Sequence, residues 1–279
     1  MICAWTELLN VLPEWMRKDV DNLERDSLQE LRLRLGKPPE LVMCRQYDCL
    51  RRTVSADDLN FCVNTASRYS PWAAESVRLG YLTVAGGHRI GLCGQPAIHN
   101  GSIQSFRTLS SLCIRVARDF PGVAGKLCGC VGSVLIIGRP GSGKTTLLRD
   151  LIRQKSNCRQ GSIAVVDERG ELFPVRAGFD TGKCTDVMTG CCKSDGIDMV
   201  LRCMGPATIA VDEITAEGDC EALLRASRCG VDLLATAHAG SLTDLRSRPV
   251  YQKLLEQNLF QWVVILQRDN SWTVERMVK

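Results

Sequence analysis

The chain contains the octapeptide Gly138-Arg139-Pro140-Gly141-Ser142-Gly143-Lys144-Thr145, which fits the pattern G-x-x-x-x-G-K-[ST]. An apolar, β-branched run at residues 131–137 precedes it and predicts a buried strand. Residues 145–153 follow with apolar side chains at helical spacing. A strand, a glycine-rich loop and a helix in this order direct backbone N–H groups and a helix N-terminus at an anion. The stretch therefore predicts a loop that binds the phosphates of a nucleotide.

The positions of the octapeptide each have a chemical task. Its glycines let the backbone approach phosphate oxygens without a Cβ in the way. Lys144 is predicted to lie between the β- and γ-phosphates of ATP, and Thr145 to give its hydroxyl to Mg²⁺. The remaining loop residues and the next helical residue are expected to line the same nucleotide: Gly138, Arg139, Pro140, Gly141, Ser142, Gly143 and Thr146. A glycine-rich turn that matches by chance is the alternative, and the flanking strand and helix favour phosphate binding.

A second feature is the pair of acids that ends an apolar strand predicted at residues 208–211. An enzyme that hydrolyses a nucleotide needs a carboxylate for the Mg²⁺ shell and often another for the attacking water. We expect Asp212 to serve the metal ion and Glu213 to orient or deprotonate the water. The alternative is a strand that simply ends in solvated acids.

Two further strands end in polar residues that could reach the same place. The strand predicted at 162–166 leads into Asp167, Glu168 and Arg169, and Glu168 competes with Glu213 for the role of base. The alternative for these acids is a local ion pair with Arg169. His238 closes the strand predicted at 231–235 and is expected to sense the γ-phosphate, although a lone histidine is more often structural.

Composition limits the class of protein. The chain has 279 residues, enough for two domains, and a formal net charge of +4 without a polybasic block, so nucleic-acid binding is not expected. Its fifteen cysteines lack Cys-x-x-Cys spacing, and the N-terminus lacks the pattern of a signal peptide. We therefore expect a cytoplasmic protein with reduced thiols, several of them small core residues: Cys93, Cys113, Cys203 and Cys229. No uncharged apolar run approaches the ~20 residues that a membrane span needs, so direct membrane insertion is not expected.

The order of predicted elements indicates an α/β protein with two domains. Residues 1–125 are predicted to form a smaller α+β domain, with a helix at 57–69 and a β-hairpin at 81–92 whose two-residue turn is Gly86-Gly87. Residues 126–279 alternate strand and helix and end in a hairpin, as expected of a RecA-like P-loop NTPase (ASCE) domain. Four arginines of the first part are candidates to reach a neighbouring subunit's nucleotide: Arg89, Arg107, Arg115 and Arg118.

Several segments resemble the ATPases of type II and type IV secretion and pilus machines, and within them a family that acts in sporulation. These segments are Leu31-Arg32-Leu33-Arg34-Leu35-Gly36-Lys37-Pro38, Gly86-Gly87-His88-Arg89-Ile90-Gly91-Leu92-Cys93-Gly94, Ser111-Leu112-Cys113-Ile114-Arg115-Val116-Ala117-Arg118, Val166-Asp167-Glu168-Arg169, Thr185-Asp186-Val187 and Thr236-Ala237-His238. The resemblance implies a hexameric ring with nucleotide between subunits. Such a ring would associate with membrane proteins of a channel between mother cell and forespore and power assembly or transport. It also assigns Asp167 and Glu168 to an acidic box and His238 to a histidine box.

The chain departs from the pattern of these ATPases at three places. Cys184 stands where an arginine is expected, Cys113 where an asparagine is expected, and Thr215-Ala216 where Gly-Arg is expected. Each departure removes a charge or a turn near the nucleotide, which predicts slower hydrolysis. Two other functions stay open on the sequence: a RecA-like ATPase that binds nucleic acid, and a nucleotide-gated scaffold with little turnover.

Overall fold

The structure is a computed structural model and describes residues 1–44, 46–67, 77–158, 161–174, 177–267, 269 and 271–277. The chain divides into two units. The first contains Met1–Asp119 together with Pro174–Gly178, and the second contains Phe120–Phe173 together with Phe179–Lys279. Each unit has a hydrophobic core of its own.

The first unit combines helices with an antiparallel sheet. Its elements are α1 (Trp5–Asn10), α2 (Glu14–Asp21), β1 (Leu28–Arg34), β2 (Glu40–Met43), β3 (Tyr47–Cys49), α3 (Ala56–Ser67), β4 (Tyr81–Thr83), β5 (Arg89–His99) and β6 (Ser102–Arg115). The strands pair in the order β3-β2-β1-β6-β5-β4. Leu31 and Leu33 of β1 are fully buried while Arg32 and Arg34 face solvent, which is the period-2 pattern of a strand with one covered face. The predicted helix at 57–69 is α3, except that residues 68 and 69 lie outside the described residues.

The hairpin predicted at residues 81–92 is present, but the prediction of its two-residue turn was wrong. The N–H of Val84 donates to the carbonyl of His88, so a three-residue loop, Ala85–Gly87, separates the strands. His88 is fully buried and holds this loop in place. Its Nε2 donates to the carbonyl of Ala4 at 2.9 Å, and its Nδ1 accepts from the N–H of Ala117 at 3.1 Å.

Strands β5 and β6 form an antiparallel ribbon much longer than the strands predicted from the sequence. The strand predicted at residues 111–117 covers only the end of β6. The ribbon turns at Asn100 and Gly101, both with positive φ, as a two-residue type I′ turn requires. The Asn-Gly pair is the strongest short-range signal for a hairpin, so the sequence did contain the information.

The second unit has a mainly parallel sheet with helices between the strands. Its elements are β7 (Val134–Gly138), α4 (Lys144–Asn157), β8 (Ile163–Asp167), β9 (Thr185–Thr189), α5 (Lys193–Cys203), β10 (Thr208–Val211), α6 (Glu217–Arg228), β11 (Asp232–His238), α7 (Leu242–Ser247), α8 (Pro249–Glu256), β12 (Trp262–Leu266) and β13 (Trp272–Arg276). The order is β13-β12-β7-β11-β10-β8-β9, and every pair is parallel except β12 with β13. The predicted alternation of strand and helix and the hairpin at the end are thus confirmed.

The order of the strands in the sheet determines which loops lie next to each other. β11 lies between β7 and β10, although it follows both in the chain. Its last residue, His238, is in register with Gly138 at the end of β7, and Ala235 is in register with Val211 at the end of β10. Because these strands are parallel, the segments that follow them emerge at one edge of the sheet. That edge carries the residues singled out by the sequence.

The cysteines are all free thiols. The expectation that Cys93, Cys203 and Cys229 are core residues was wrong, because all three are exposed. Cys93 lies on the β5–β6 ribbon. Cys203 is the last residue of α5, and Cys229 is the C-cap of α6, so both lie at helix ends. Cys113 is partly buried, and the buried thiols belong to Cys62, Cys130 and Cys220. Across the described residues, no helix has the length and apolar character needed to span a bilayer.

Candidate active site

The predicted phosphate-binding loop joins the buried strand β7 to helix α4. Gly141 and Gly143 have φ values of 75° and 90°, a region that side-chain-bearing residues rarely adopt. Gly143 is the N-cap of α4, and no side chain of the described residues caps the helix. The N–H groups of the first turn of an α-helix have no partner within the helix, so they are available to an anion.

The interior of the loop suits a phosphate group in two further respects. The hydroxyl of Ser142 is buried and has no hydrogen-bond partner among the described residues. A Cβ at Gly138 would lie only 2.4 Å from that hydroxyl, so a larger residue there would displace Ser142. An unsatisfied buried hydroxyl normally costs free energy, and a phosphate oxygen would satisfy it.

Lys144 is buried at the start of α4, and its Nζ donates to the carbonyl of Arg139 at 3.0 Å. The same Nζ lies 3.0 Å from Nδ1 of His238. Burial lowers the pKa of Lys144, and the negative charges of Asp212 and Glu213 oppose that shift. The ammonium group therefore lies within the electrostatic reach of the carboxylate predicted to serve the metal ion, Asp212, and of the one predicted to activate water, Glu213.

Asp212 is held by hydroxyl groups from two elements. Thr145 Oγ1 of α4 donates to Asp212 Oδ2 at 2.7 Å, and Thr236 Oγ1 of β11 donates to Oδ1 at 2.5 Å. A hydroxyl beside a carboxylate is the type of oxygen ligand set that Mg²⁺ prefers. The residues predicted to serve the metal ion, Thr145 and Asp212, are thus adjacent.

Thr236 was not predicted as a site residue. It is fully buried, and its Oγ1 also accepts from the backbone N–H of Glu213 at 2.7 Å. One hydroxyl therefore fixes both members of the Asp212-Glu213 pair. The available signal was a polar residue between the apolar residues 233–235 and Ala237, two positions before His238.

Glu213 has a φ of 56°, which is uncommon for a residue with a side chain and marks a backbone position that its surroundings impose. Its Oε1 lies 3.0 Å from Nε2 of His238, and its Oε2 lies 3.1 Å from Nη1 of Arg169. The carboxylate is partly exposed, so it is both oriented by two donors and open to a water molecule.

The acids at the end of β8 and directly after it, Asp167 and Glu168, have other contacts. Asp167 is buried and accepts from the N–H groups of Glu171 and Phe173, each at 2.9 Å. Burial raises the pKa of Asp167, although these backbone donors oppose the shift. Asp167 therefore stabilises the conformation of the loop that follows β8. Glu168 Oε2 lies 2.5 Å from Nζ of Lys193.

Three of the four arginines considered for a neighbouring subunit's nucleotide have contacts within the first unit. The Arg89 guanidinium lies 3.9 Å from the ring centroid of Tyr81. Arg115 lies 3.3 Å from a carboxylate oxygen of Glu30, and Arg118 donates to the carbonyl of Asp26. The fourth, Arg107, is exposed on the β5–β6 ribbon.

Solved structures resemble this fold. The ATPase DotB of Legionella pneumophila matches with a TM-score of 0.57 and 16% identity, over 95% of this chain and 80% of that one. The pilus retraction motor PilT, whose structure contains ADP, matches with a TM-score of 0.60 and 17% identity, over 90% and 76% of the two chains. Identities this low establish a shared fold and nothing more specific.

Sequence comparison is more specific. The stage III sporulation protein AA of Bacillus subtilis is 35% identical over 278 residues, which cover 94% of this chain and 91% of that protein. Residues 5–276 match the family described as "Sporulation stage III, protein AA". The match spans both units and includes every predicted site residue. The chain belongs to the sporulation stage III protein AA family.

Proposed function

We propose that the chain is an ATP-hydrolysing ATPase that forms a ring and powers assembly of, or transport through, a channel complex of sporulating cells. One observation carries the proposal: Lys144, Asp212, Glu213 and His238 converge at one edge of the parallel sheet. The order of the strands, with β11 between the loop strand β7 and the acidic strand β10, supports a RecA-like (ASCE) core. The first unit would serve assembly and partner contacts.

ATP and Mg²⁺ are the proposed cofactors. The N–H groups at the start of α4, the Ser142 hydroxyl and the Lys144 ammonium would bind the phosphates. Thr145 and Asp212 would hold Mg²⁺, which neutralises charge on the β- and γ-phosphates when bound. Both residues already face each other, so binding requires little rearrangement of the chain.

Glu213 is the proposed base. Its carboxylate would accept a proton from the attacking water, while His238 and Arg169 orient the two oxygens. Glu168 is the alternative, but its contact with the buried Lys193 ammonium favours a structural task for it. A change in the contacts of Lys144 would affect Glu213 through His238, because the His238 ring contacts both residues.

The proposed assembly is a homo-hexamer with nucleotide between subunits, docked on membrane proteins of the channel from the cytoplasmic side. Sequence similarity to the Bacillus subtilis protein and the fold of secretion ATPases support this arrangement. At least one arginine of the first unit would act on a neighbour's nucleotide. Turnover is proposed to be slow, because the positions of Cys184 and Ala216 lack the arginines expected there.

The proposal is tested by measuring the ATPase rate per subunit against protein concentration, for the parent and for Lys144→Ala. We expect hydrolysis that requires Lys144 and a rate per subunit that falls on dilution, since a shared site is lost when the ring dissociates. A rate that stays flat on dilution would contradict shared sites. ATP binding without hydrolysis in the parent would instead favour a nucleotide-gated scaffold.

A further inference from the structure

Lys193 is the first residue of α5, and its side chain is only 5% exposed. Burying an ammonium group is unfavourable unless acceptors compensate its charge. Helix stability does not explain the residue, because a cation in the first turn opposes the positive end of the helix dipole. The proposed reaction does not use it either. We therefore expect the charge of Lys193 to hold neighbouring carboxylates in place.

Two carboxylates from different elements compensate this charge. Nζ of Lys193 lies 2.5 Å from Oε2 of Glu168, which follows β8, and 3.6 Å from Oδ2 of Asp219 in the first turn of α6. Lys193 thereby connects the loop after β8, the start of α5 and the start of α6. All three belong to the second unit.

One path leads from Lys193 to Glu213 through Asp219. Oδ2 of Asp219 accepts from the backbone N–H groups of Thr215 at 2.9 Å and of Ala216 at 3.1 Å. These residues follow Glu213 closely in the chain. Since Thr236 already holds the N–H of Glu213, the backbone is fixed on both sides of its positive-φ conformation. Lys193 stabilises the carboxylate that makes the second of these anchors.

The other path runs through the loop after β8. Glu168 is followed by Arg169, whose guanidinium contacts Oε2 of Glu213 at 3.1 Å. The Arg169 side chain is 49% exposed, and ion pairs at that exposure hold a geometry weakly by themselves. The direction of Arg169 therefore depends on its backbone. The contact between Glu168 and Lys193 anchors that backbone at the adjacent residue.

We propose that Lys193 is a positioning residue for ATP hydrolysis: by tying together the loops after β8 and β10, it fixes the Glu213 carboxylate between His238 and Arg169. Lys193 touches no nucleotide in this scheme, and Glu168 acts as its partner. The inference rests on the proposed function, because it concerns the residue that activates water.

The test compares Lys193→Met, Glu168→Gln and the double variant, with kcat, KM for ATP and Kd for a fluorescent ADP analogue as readouts. We expect Lys193→Met to lower kcat by about tenfold or more, because misplacing a reacting group costs rate, while KM and Kd change less than about twofold. The double variant should be no slower than Lys193→Met, because the two residues act as one unit. Lys253→Met is the control, since Lys253 also faces a carboxylate, Glu221 at 3.9 Å, but on the exposed surface.

The outcomes separate the two proposals. If the parent chain shows no ATP hydrolysis that is lost in Lys144→Ala, the proposed function is overturned, and this inference with it. An active parent with a Lys193→Met variant within twofold of its kcat would overturn the inference alone. The inference would also be overturned if Lys193→Met lowered kcat and nucleotide affinity equally. The same holds if the losses in kcat caused by Lys193→Met and Glu168→Gln multiplied in the double variant. Lys193→Gln, which keeps a donor for Glu168, provides the same comparison with an intermediate loss in kcat if Lys193→Met fails to fold.

Discussion

Nδ1 of His238 lies 3.0 Å from Nζ of Lys144, while Nε2 on the other side of the ring lies 3.0 Å from Oε1 of Glu213. An ammonium group can only donate, so Nδ1 is the acceptor and the ring proton resides on Nε2, where it is donated to the carboxylate. One imidazole thus connects Lys144, which is proposed to bind phosphate, to the proposed base. A change in the contacts of Lys144 would be felt by Glu213 through this ring.

The first prediction concerns this connection. His238→Gln places an amide near the position of Nε2, whereas His238→Asn reaches only the position of Nδ1. We expect His238→Asn to lower kcat by about 10- to 100-fold and His238→Gln by less, because only the longer side chain still reaches Glu213. Steady-state kinetics with ADP affinity as the control measures this. Equal losses in the two variants would mean that the contact with Glu213 is unimportant.

The second prediction distinguishes the two candidate bases. Glu213→Gln should lower kcat by about 100-fold or more and leave ATP binding intact, because the amide cannot accept the proton of water. Glu168→Gln should lose less than about tenfold, because its amide oxygen still accepts from Lys193. Single-turnover hydrolysis and ATP affinity measured together check both. The reverse order of the two losses would identify Glu168 as the base.

A third prediction follows from the buried hydroxyl of Thr236. Thr236→Val keeps the shape of the side chain but leaves the N–H of Glu213 without its side-chain acceptor and Oδ1 of Asp212 without the hydroxyl that donates to it. We expect the free energy of unfolding to fall by about 1–3 kcal/mol and the Mg²⁺ concentration for half-maximal hydrolysis to rise. Thr236→Ser is the matched control because it retains the hydroxyl. If the two variants behave alike, the hydroxyl has no such task.

Local patterns predicted those parts of the site that lie on one element each. The octapeptide before α4 and the acids after β10 are contiguous in the chain, so their relation to strand and helix could be inferred directly. The contacts of Thr236 and Lys193 could not be inferred this way. Their proposed tasks depend on β11 lying beside β10 and on α5 beginning next to α6, and sequence order alone does not determine which strands and helices are neighbours.

A fourth prediction concerns the tight contact inside the loop. A Cβ at Gly138 would lie 2.4 Å from Ser142 Oγ and 3.2 Å from Leu266 Cβ, so Gly138→Ala must displace the Ser142 side chain. We expect nucleotide affinity to weaken by about tenfold or more, roughly 1.4 kcal/mol of binding free energy. Gly129→Ala is the control, because a Cβ there meets nothing within 4 Å. Equal affinities of these two variants would show that the loop tolerates the displacement.

The last prediction is a pH dependence of stability in the first unit. Burial lowers the pKa of His88 below its ordinary 6.5, although the carbonyl of Ala4 and the charge of Glu7 oppose the shift. Folding therefore favours the neutral ring, so its contribution to stability is complete above about pH 6.5 and is lost as the pH falls toward the lower folded pKa. His88→Gln, which does not titrate there, should show a weaker decline between pH 7.5 and 5.5 in urea unfolding. Parallel declines in parent and variant would contradict a buried neutral His88.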